Sequence, residues 1–333
     1  MKKVFALVSV LLVMAMFLGA CGKTPATEPP AASSDPLRIA VVSPSSVNDL
    51  AFTQSISDAL KVLKAEMGDG LEYAFSENMF VVDDAAAAIR DYANKGYDIV
   101  IAHGSQYGSS LQEIAPDFPE TVFAWGTTVD TFGMANVHAY EAASDQGGYV
   151  NGVMAGMLTQ TKIIGVVGPI ETGDAKLYVD GFVAGAKSVD PTIDVRVTYI
   201  GSFSDVALAA EAATTHIAAG ADILTGSAQM VVGAIGKAEE SGLYWFGTQA
   251  DQNSFAPKTV VASQVYHWEN ILREIISLRA AGTLGGHTFT ASLQNGGQVI
   301  TFNPEVTIND EIKTKVEETI AGINDGSIVI PKP

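Results

Sequence analysis

Phe52, Tyr107, Trp125, Phe203, Trp245 with Phe246, and Tyr266 with Trp268 all stand within or just after short apolar runs. Flat apolar side chains on opposite walls of a cleft can grip a planar ring by stacking, at about 0.5–1.5 kcal/mol per aromatic pair beyond the area buried. Beside them lie Asn48, Asp49, Thr53, Ser105, Thr127, Asp205, Ser227, Gln249 and Asp251, residue types that can read a ring edge by hydrogen bonds. Taken singly, each aromatic also suits an ordinary core, and Asp49 and Asp205 suit helix N-caps equally well. Together they point to non-covalent capture of a flat ligand rich in heteroatoms.

Covalent chemistry has no comparable support. The chain carries no P-loop, G-x-G-x-x-G, H-E-x-x-H or G-x-S-x-G, the motifs that mark common nucleotide-binding and hydrolytic sites. Its five histidines (His103, His138, His216, His267, His287) lack metal-ligand spacing, and Cys21 is the only cysteine. A zinc site, an internal disulfide or a thiol cofactor is therefore not expected. Asp83-Asp84 and Glu239-Glu240 are adjacent carboxylates, which diverge on a helix and read as solvated faces. His103 follows a strand and suits either a ligand contact or a satisfied strand-end hydrogen bond. The expectation is a binding protein with no cofactor, and not an enzyme.

The elements that must position these residues alternate. Apolar runs at Leu37–Ser43, Leu71–Glu77, Tyr97–Gly104 and Thr121–Thr127 are separated by helical patterns; Phe52, Ile56, Ala59, Leu60 and Leu63 share one helix face. A long helical stretch at Ala143–Leu158 leads to a second series with runs at Lys162–Pro169, Ile193–Asp205, Ala221–Ala228, Leu243–Gln252 and Thr259–Tyr266. Continuous apolar strands alternating with helices predict parallel sheets covered on both faces. The repeated grammar predicts two doubly wound α/β lobes. Residues 37–140 plus about 267–300 are assigned to the first lobe and 141–266 to the second, with about 301–333 a candidate addition to the second. Ligands of such sheets bind beyond the carboxyl ends of the strands, and two facing lobes make a cleft there.

Charge and the amino terminus narrow the setting. Nineteen basic against 37 acidic residues give a net −18 with no basic cluster, which argues against nucleic acid as a partner. Lys2 and Lys3 precede the uncharged apolar run Val4–Gly19. That run is short of the roughly 20 residues of a spanning helix and fits a signal peptide over residues 1–20. It ends in Leu18-Gly19-Ala20-Cys21, which resembles a bacterial lipobox and implies a lipid such as palmitate on Cys21. Cleavage there would leave 17 basic against 37 acidic residues, a net −20. Residues 21–36, rich in Pro, Ala, Ser and Thr, read as a flexible tether. The expected location is the outer or periplasmic face of a cell membrane.

From about Leu37 onward the chain resembles the basic membrane protein (BMP) family of bacterial lipoproteins, which deliver purine nucleosides and related molecules to ABC importers. The resemblance rests on "NDLAFTQSISDAL", "YANKGYDIVIAHG", "DQGGYVNGVMAGMLTQTKIIGVVG", "DGFVAGAKSVDP", "YIGSFSD" and "ADQNSFAP", in that order. It implies the type I periplasmic-binding fold, with two lobes joined by a hinge. It also implies that Phe52 stacks on one face of a base and Phe203 covers the other, and that an ABC permease is the partner.

The departures bear on the ligand. The family's base-reading Asn falls at Thr53, the Asp that ends its fourth-strand pattern at Thr127, and its ribose-holding Asp and Lys at Gln249 and Tyr266. Loss of those charges, each worth about 1.5–3 kcal/mol per hydrogen bond, together with Trp125, Tyr266 and Trp268, favours a nucleobase or similar heteroaromatic over an intact nucleoside. A riboflavin-type binder or a signalling lipoprotein of the same fold remains the alternative.

Overall fold

The computed structural model describes residues 35–331; the expected signal peptide, Cys21 and the tether through residue 34 lie outside the described residues. Sheet and helix alternate from the start: β1 (Leu37–Val42), α1 (Phe52–Met67), β2 (Leu71–Ser76), α2 (Val82–Asn94), β3 (Ile99–His103), α3 (Gly108–Ile114), β4 (Val122–Gly126) and β5 (Val137–Ala142). The second series is α4 (Ser144–Leu158), β6 (Ile163–Gly168), α5 (Gly173–Val189), β7 (Asp194–Tyr199), α6 (Val206–Ala218), β8 (Ile223–Gly226), α7 (Val231–Glu240), β9 (Tyr244–Gln249) and β10 (Val260–Tyr266). The chain closes with α8 (Trp268–Ala280), β11 (Thr288–Ala291), β12 (Gln298–Phe302) and α9 (Asp310–Asn324).

Two six-stranded sheets result, ordered β11-β5-β4-β3-β1-β2 and β12-β10-β9-β8-β6-β7. Neighbours in the first run parallel throughout. In the second, only β12 on β10 is antiparallel. Every residue of β3 and β4 is buried, as apolar strands covered by helices on both faces must be. One cluster around Ile39, Leu60, Tyr140 and Trp268 and another around Val42, Ile89, Phe123 and Trp125 cover the two faces of the first sheet. Clusters around Phe182 and Phe246, and around Trp245 and Val231, do the same for the second.

The chain passes between the lobes three times, after Ala142, after Tyr266 and after Ala291. These passages connect the two lobes. Three strands carry no clear signal in the sequence. β5 (VHAYEA) interrupts its apolar residues with His138 and Glu141, and β11 and β12 are four and five residues long. β12 begins at Gln298 and already belongs to the second sheet, slightly before the expected boundary near 300. Ile312 and Val316 of α9 pack into the second lobe.

Candidate ligand-binding site

The first wall of the interlobe cleft is built by the turn before α1. The Asp49 carboxylate accepts from the backbone N–H of Ala51 (2.9 Å), Thr53 (3.0 Å) and Gln54 (3.0 Å) and from the Ser45 hydroxyl (2.6 Å). It thereby satisfies two of the orphan donors of the helix end, those of Thr53 and Gln54, and α1 starts at Phe52. Burial raises the Asp49 pKa against the lowering effect of these bonds. Asp49 thus braces the first turn of α1 from two positions before its N-cap, Ala51, and does not line the cleft.

The Phe52 ring lies flat on His103, with centroids 3.9 Å apart and planes 11° from parallel. His103 is buried between the Phe52 carbonyl (Nε2, 3.1 Å) and the Tyr140 hydroxyl (Nδ1, 2.7 Å). A carbonyl can only accept, so Nε2 carries the proton and Nδ1 accepts from Tyr140. Of its two readings, His103 takes the satisfied hydrogen bond, and it supports the ring that faces the cleft. Desolvation pushes its pKa down to about 3. The unfolded chain therefore binds this proton more tightly, and the stability tied to a neutral His103 is complete above pH 6.5 and lost as pH falls toward 3. Moving from pH 7 to pH 5 is expected to remove about 2 kcal/mol through this residue. Urea melts of the chain and of His103→Gln at both pH values check this; equal losses in the two would overturn it.

The opposite wall comes from the loop between β7 and α6. Ser202 Oγ accepts from the N–H of Ser204 (3.2 Å) and Asp205 (3.1 Å), and Asp205 caps α6 by accepting from Leu208 N–H at 2.9 Å. The Phe203 carbonyl accepts from Met230 N–H at 3.1 Å. With its loop tied at both ends, half-buried Phe203 lines the same cleft as half-buried Phe52. Thr127, Ser105 and Gln106 from the first lobe and Thr172, Asp174, Gln229 and Gln249 from the second supply the polar lining. The space between these walls, counted with the part that opens to solvent, is about 530 Å³. Gln252 Nε2 of the second lobe donates to the Leu50 carbonyl of the first at 2.9 Å, across the cleft.

Asp174 is the group that the sequence reading missed. It sits in the first turn of α5, just after Gly173, whose φ of 57° lets the chain turn sharply into the helix. Its carboxylate faces Thr127 Oγ1 (3.4 Å), Gln249 Nε2 (3.5 Å) and the Tyr266 hydroxyl (3.4 Å). Burial raises its pKa, and the hydrogen bonds from Gln249, from its own backbone N–H, from Tyr266 and from Thr127 oppose the shift. Gln249 is only 2% exposed, ends β9 at a φ of 73°, and has no partner for its Oε1. An acid near the start of a helix after a strand was the available signal. Phe80, 47% exposed, also lines the cleft and was not foreseen.

The remaining candidates stand elsewhere. Tyr107 is buried under α2 and α3 with its hydroxyl on the Met79 carbonyl (2.7 Å). Trp125 stacks on Phe132 and donates to the Gly104 carbonyl at 3.2 Å. Trp268 is fully buried, donating to Ser55 Oγ at 2.8 Å, and Trp245 and Phe246 are core residues. Tyr266 is 3% exposed and bonds Ser144 Oγ at 2.6 Å, reaching the site only through Asp174. Thr53 is buried against Ser45 (2.7 Å), and Ser227 is buried beside cleft-lining Ala228. Asn48 and Asp251 are exposed, the latter closing a turn onto Asn253 N–H. None of these lines the cleft. Among the described residues no group of three or more His, Cys, Asp or Glu is arranged for a metal.

A family model described as "Bmp: ABC transporter substrate-binding protein PnrA-like" matches residues 37–332. A purine-binding protein of Brucella abortus is 28% identical over 280 residues, covering 84% of this chain and 79% of that protein. The ABC transporter nucleoside-binding protein BmpA of Lactococcus lactis is 26% identical with 99% of each chain covered. The crystal structure of an ABC transporter solute-binding protein from Aeropyrum pernix superposes with a TM-score of 0.76 at 18% identity, over 90% of this chain and 94% of that one. The fold is that of the type I periplasmic binding proteins.

Proposed function

Because the chain belongs to the Bmp family of PnrA-like ABC transporter substrate-binding proteins, we propose that its cleft captures a purine base, or a similarly flat heteroaromatic, for delivery to a membrane permease. The observation that carries this reading is the placement of one phenylalanine per lobe, Phe52 and Phe203, on the same small cleft. A flat guest between them gains contact on both faces and ties the lobes together, so binding and closure favour each other. The names of the Brucella and Lactococcus relatives, purine-binding and nucleoside-binding, point the same way. The free base ranks ahead of the nucleoside because the family resemblance puts the sugar-holding Asp and Lys at Gln249 and Tyr266, neither of them charged, and Tyr266 does not itself line the cleft. Lipidation of Cys21 is part of the same proposal and rests on the Leu18-Gly19-Ala20-Cys21 sequence.

A thermal-shift screen of the chain against purine bases, nucleosides, riboflavin and hexoses tests the ligand class. A shift of several degrees with a base is expected. A shift with a hexose alone would overturn the proposal. Cys21→Ala is expected to release the protein from the membrane fraction of cells; retention there would remove the lipid anchor from the proposal and leave the ligand class untouched.

A further inference from the structure

We propose that the Asp174 carboxylate and the unpartnered Gln249 carbonyl form an acceptor pair that takes the ring N–H of an unsubstituted purine-type base, so that the cleft selects the base against its N-glycoside. This rests on the heteroaromatic reading above and assigns the residues that would set its specificity.

The three side-chain donors of Asp174 all stand at 3.4–3.5 Å, whereas a hydroxyl on a carboxylate normally closes to about 2.5–2.7 Å; its own backbone N–H is the one further donor. The carboxylate is thus held in place but not satisfied. No ion pair to Asp174 is present among the described residues: Lys176, two positions on, is bonded to Asp180 at 2.7 Å, with Glu171 at 3.6 Å. Gln249 adds a second demand. Facing a carboxylate, its amide must present the NH₂ group, which leaves Oε1 as a buried acceptor with nothing to accept from. A buried acceptor without a donor is unfavourable, and one next to a loosely bonded carboxylate, both on residues that line the cleft, calls for a guest that brings a donor to that end.

A purine base offers the N–H of its imidazole ring there, a donor that gains from an ionised acceptor. N-glycosylation replaces that hydrogen with a sugar, removing the donor and adding bulk where Asp174, Gln249 and Thr127 already converge. Burial, which raises the Asp174 pKa, also makes the empty site less stable than a neutral one would be.

Calorimetry on the full chain and on Asp174→Asn tests this with adenine and hypoxanthine, their 9-methyl derivatives, and the two nucleosides. The free base is expected to bind the substituted chain about ten- to a hundredfold more weakly, the range for a hydrogen bond to a charged group. The 9-methyl base and the nucleoside should already be weak on the unsubstituted chain and lose nothing further. Gln249→Leu is expected to repeat the pattern with a smaller loss. Ligand-free Asp174→Asn is expected to melt at or above the temperature of the unsubstituted chain, which certifies its fold. Equal losses for all three ligand forms, or no loss for the base, would overturn the acceptor-pair assignment while leaving the stacking site standing. So would tight nucleoside binding that depends on Asp174, which would assign the carboxylate to sugar hydroxyls. Failure of every form to bind the unsubstituted chain would remove the heteroaromatic reading as well.

Discussion

Replacing Phe52 and Phe203 together by alanine is expected to weaken capture of a purine base about a thousandfold and to leave the fold intact. Stacking of a base on one aromatic ring is worth about 1–3 kcal/mol by alanine substitution, so two faces come to about 4 kcal/mol. The fold should survive because neither ring belongs to a core cluster: both are half-buried at the cleft. The rings sit on different lobes, and the singles should nearly add if the guest touches both. If closure depends on the guest bridging them, either single alone should show most of the loss. Phe52→Ala carries one local consequence. It uncovers His103, which Phe52 now shields at 3.9 Å, and the depressed pKa of that imidazole should rise toward its ordinary value. Isothermal titration of the two singles and the double, with proton NMR of His103, gives both readings. Binding of the double variant within threefold of the parent would end the case for a stacked guest.

Much of the architecture could be read in advance because it follows from a periodic signal. Strands β1, β3, β4, β6 and β8 are apolar almost without interruption, and only a sheet covered on both faces accommodates that. The site was harder for a physical reason. Standing near a strand end brings a residue close to the cleft but does not say which way its side chain turns. In β4, Ala124 faces the cluster under α1 and Trp125 the cluster under α2; the two-residue period that buries one buries the other. Trp268, the first residue of α8, turns onto the first sheet for the same reason that any helix buries its apolar stripe. Phe52 and Phe203 differ because each follows a capped or tied loop that holds the ring off its own core, Phe52 through Asp49 and Phe203 through Ser202 and Asp205. Asp174 escaped notice because its partners, Thr127, Gln249 and Tyr266, come from three distant stretches. No local pattern announces a convergence of that kind.

The position of Asp174 depends in turn on how α5 lies against α4, and this makes a second large effect predictable. At Gly148 and Gly152 of α4 an added Cβ would overlap the backbone carbonyls of Tyr178 and Phe182; at Gly181 and Gly185 of α5 it would overlap those of Asp145 and Tyr149. The two backbones are in direct contact, each helix resting glycines on the other's carbonyls. Glycine inside a helix gives up about 1 kcal/mol relative to alanine, so four of them are tolerable only because the close approach is recovered in packing. Gly152→Ala removes that penalty at one position yet must push apart two helices whose backbone atoms cannot rotate away. Overpacking typically costs 1–3 kcal/mol and more where backbone is the obstacle, so the expected net loss is about 3–4 kcal/mol, or roughly 10 °C in Tm. Gly236 supplies the contrast: it lies inside α7 with open space around the built Cβ, and Gly236→Ala should stabilise by about 0.5–1 kcal/mol. The same chemical change thus carries opposite signs at two helical glycines. Because α5 holds Asp174 in its first turn and α4 begins at Ser144, bonded to Tyr266, any Gly152→Ala protein that still folds should bind a purine base more weakly without a ligand contact having been touched. Urea melts of both variants decide the matter: a neutral or stabilising Gly152→Ala would mean that α4 and α5 stand further apart, and that the helix contact does not set where the carboxylate lies.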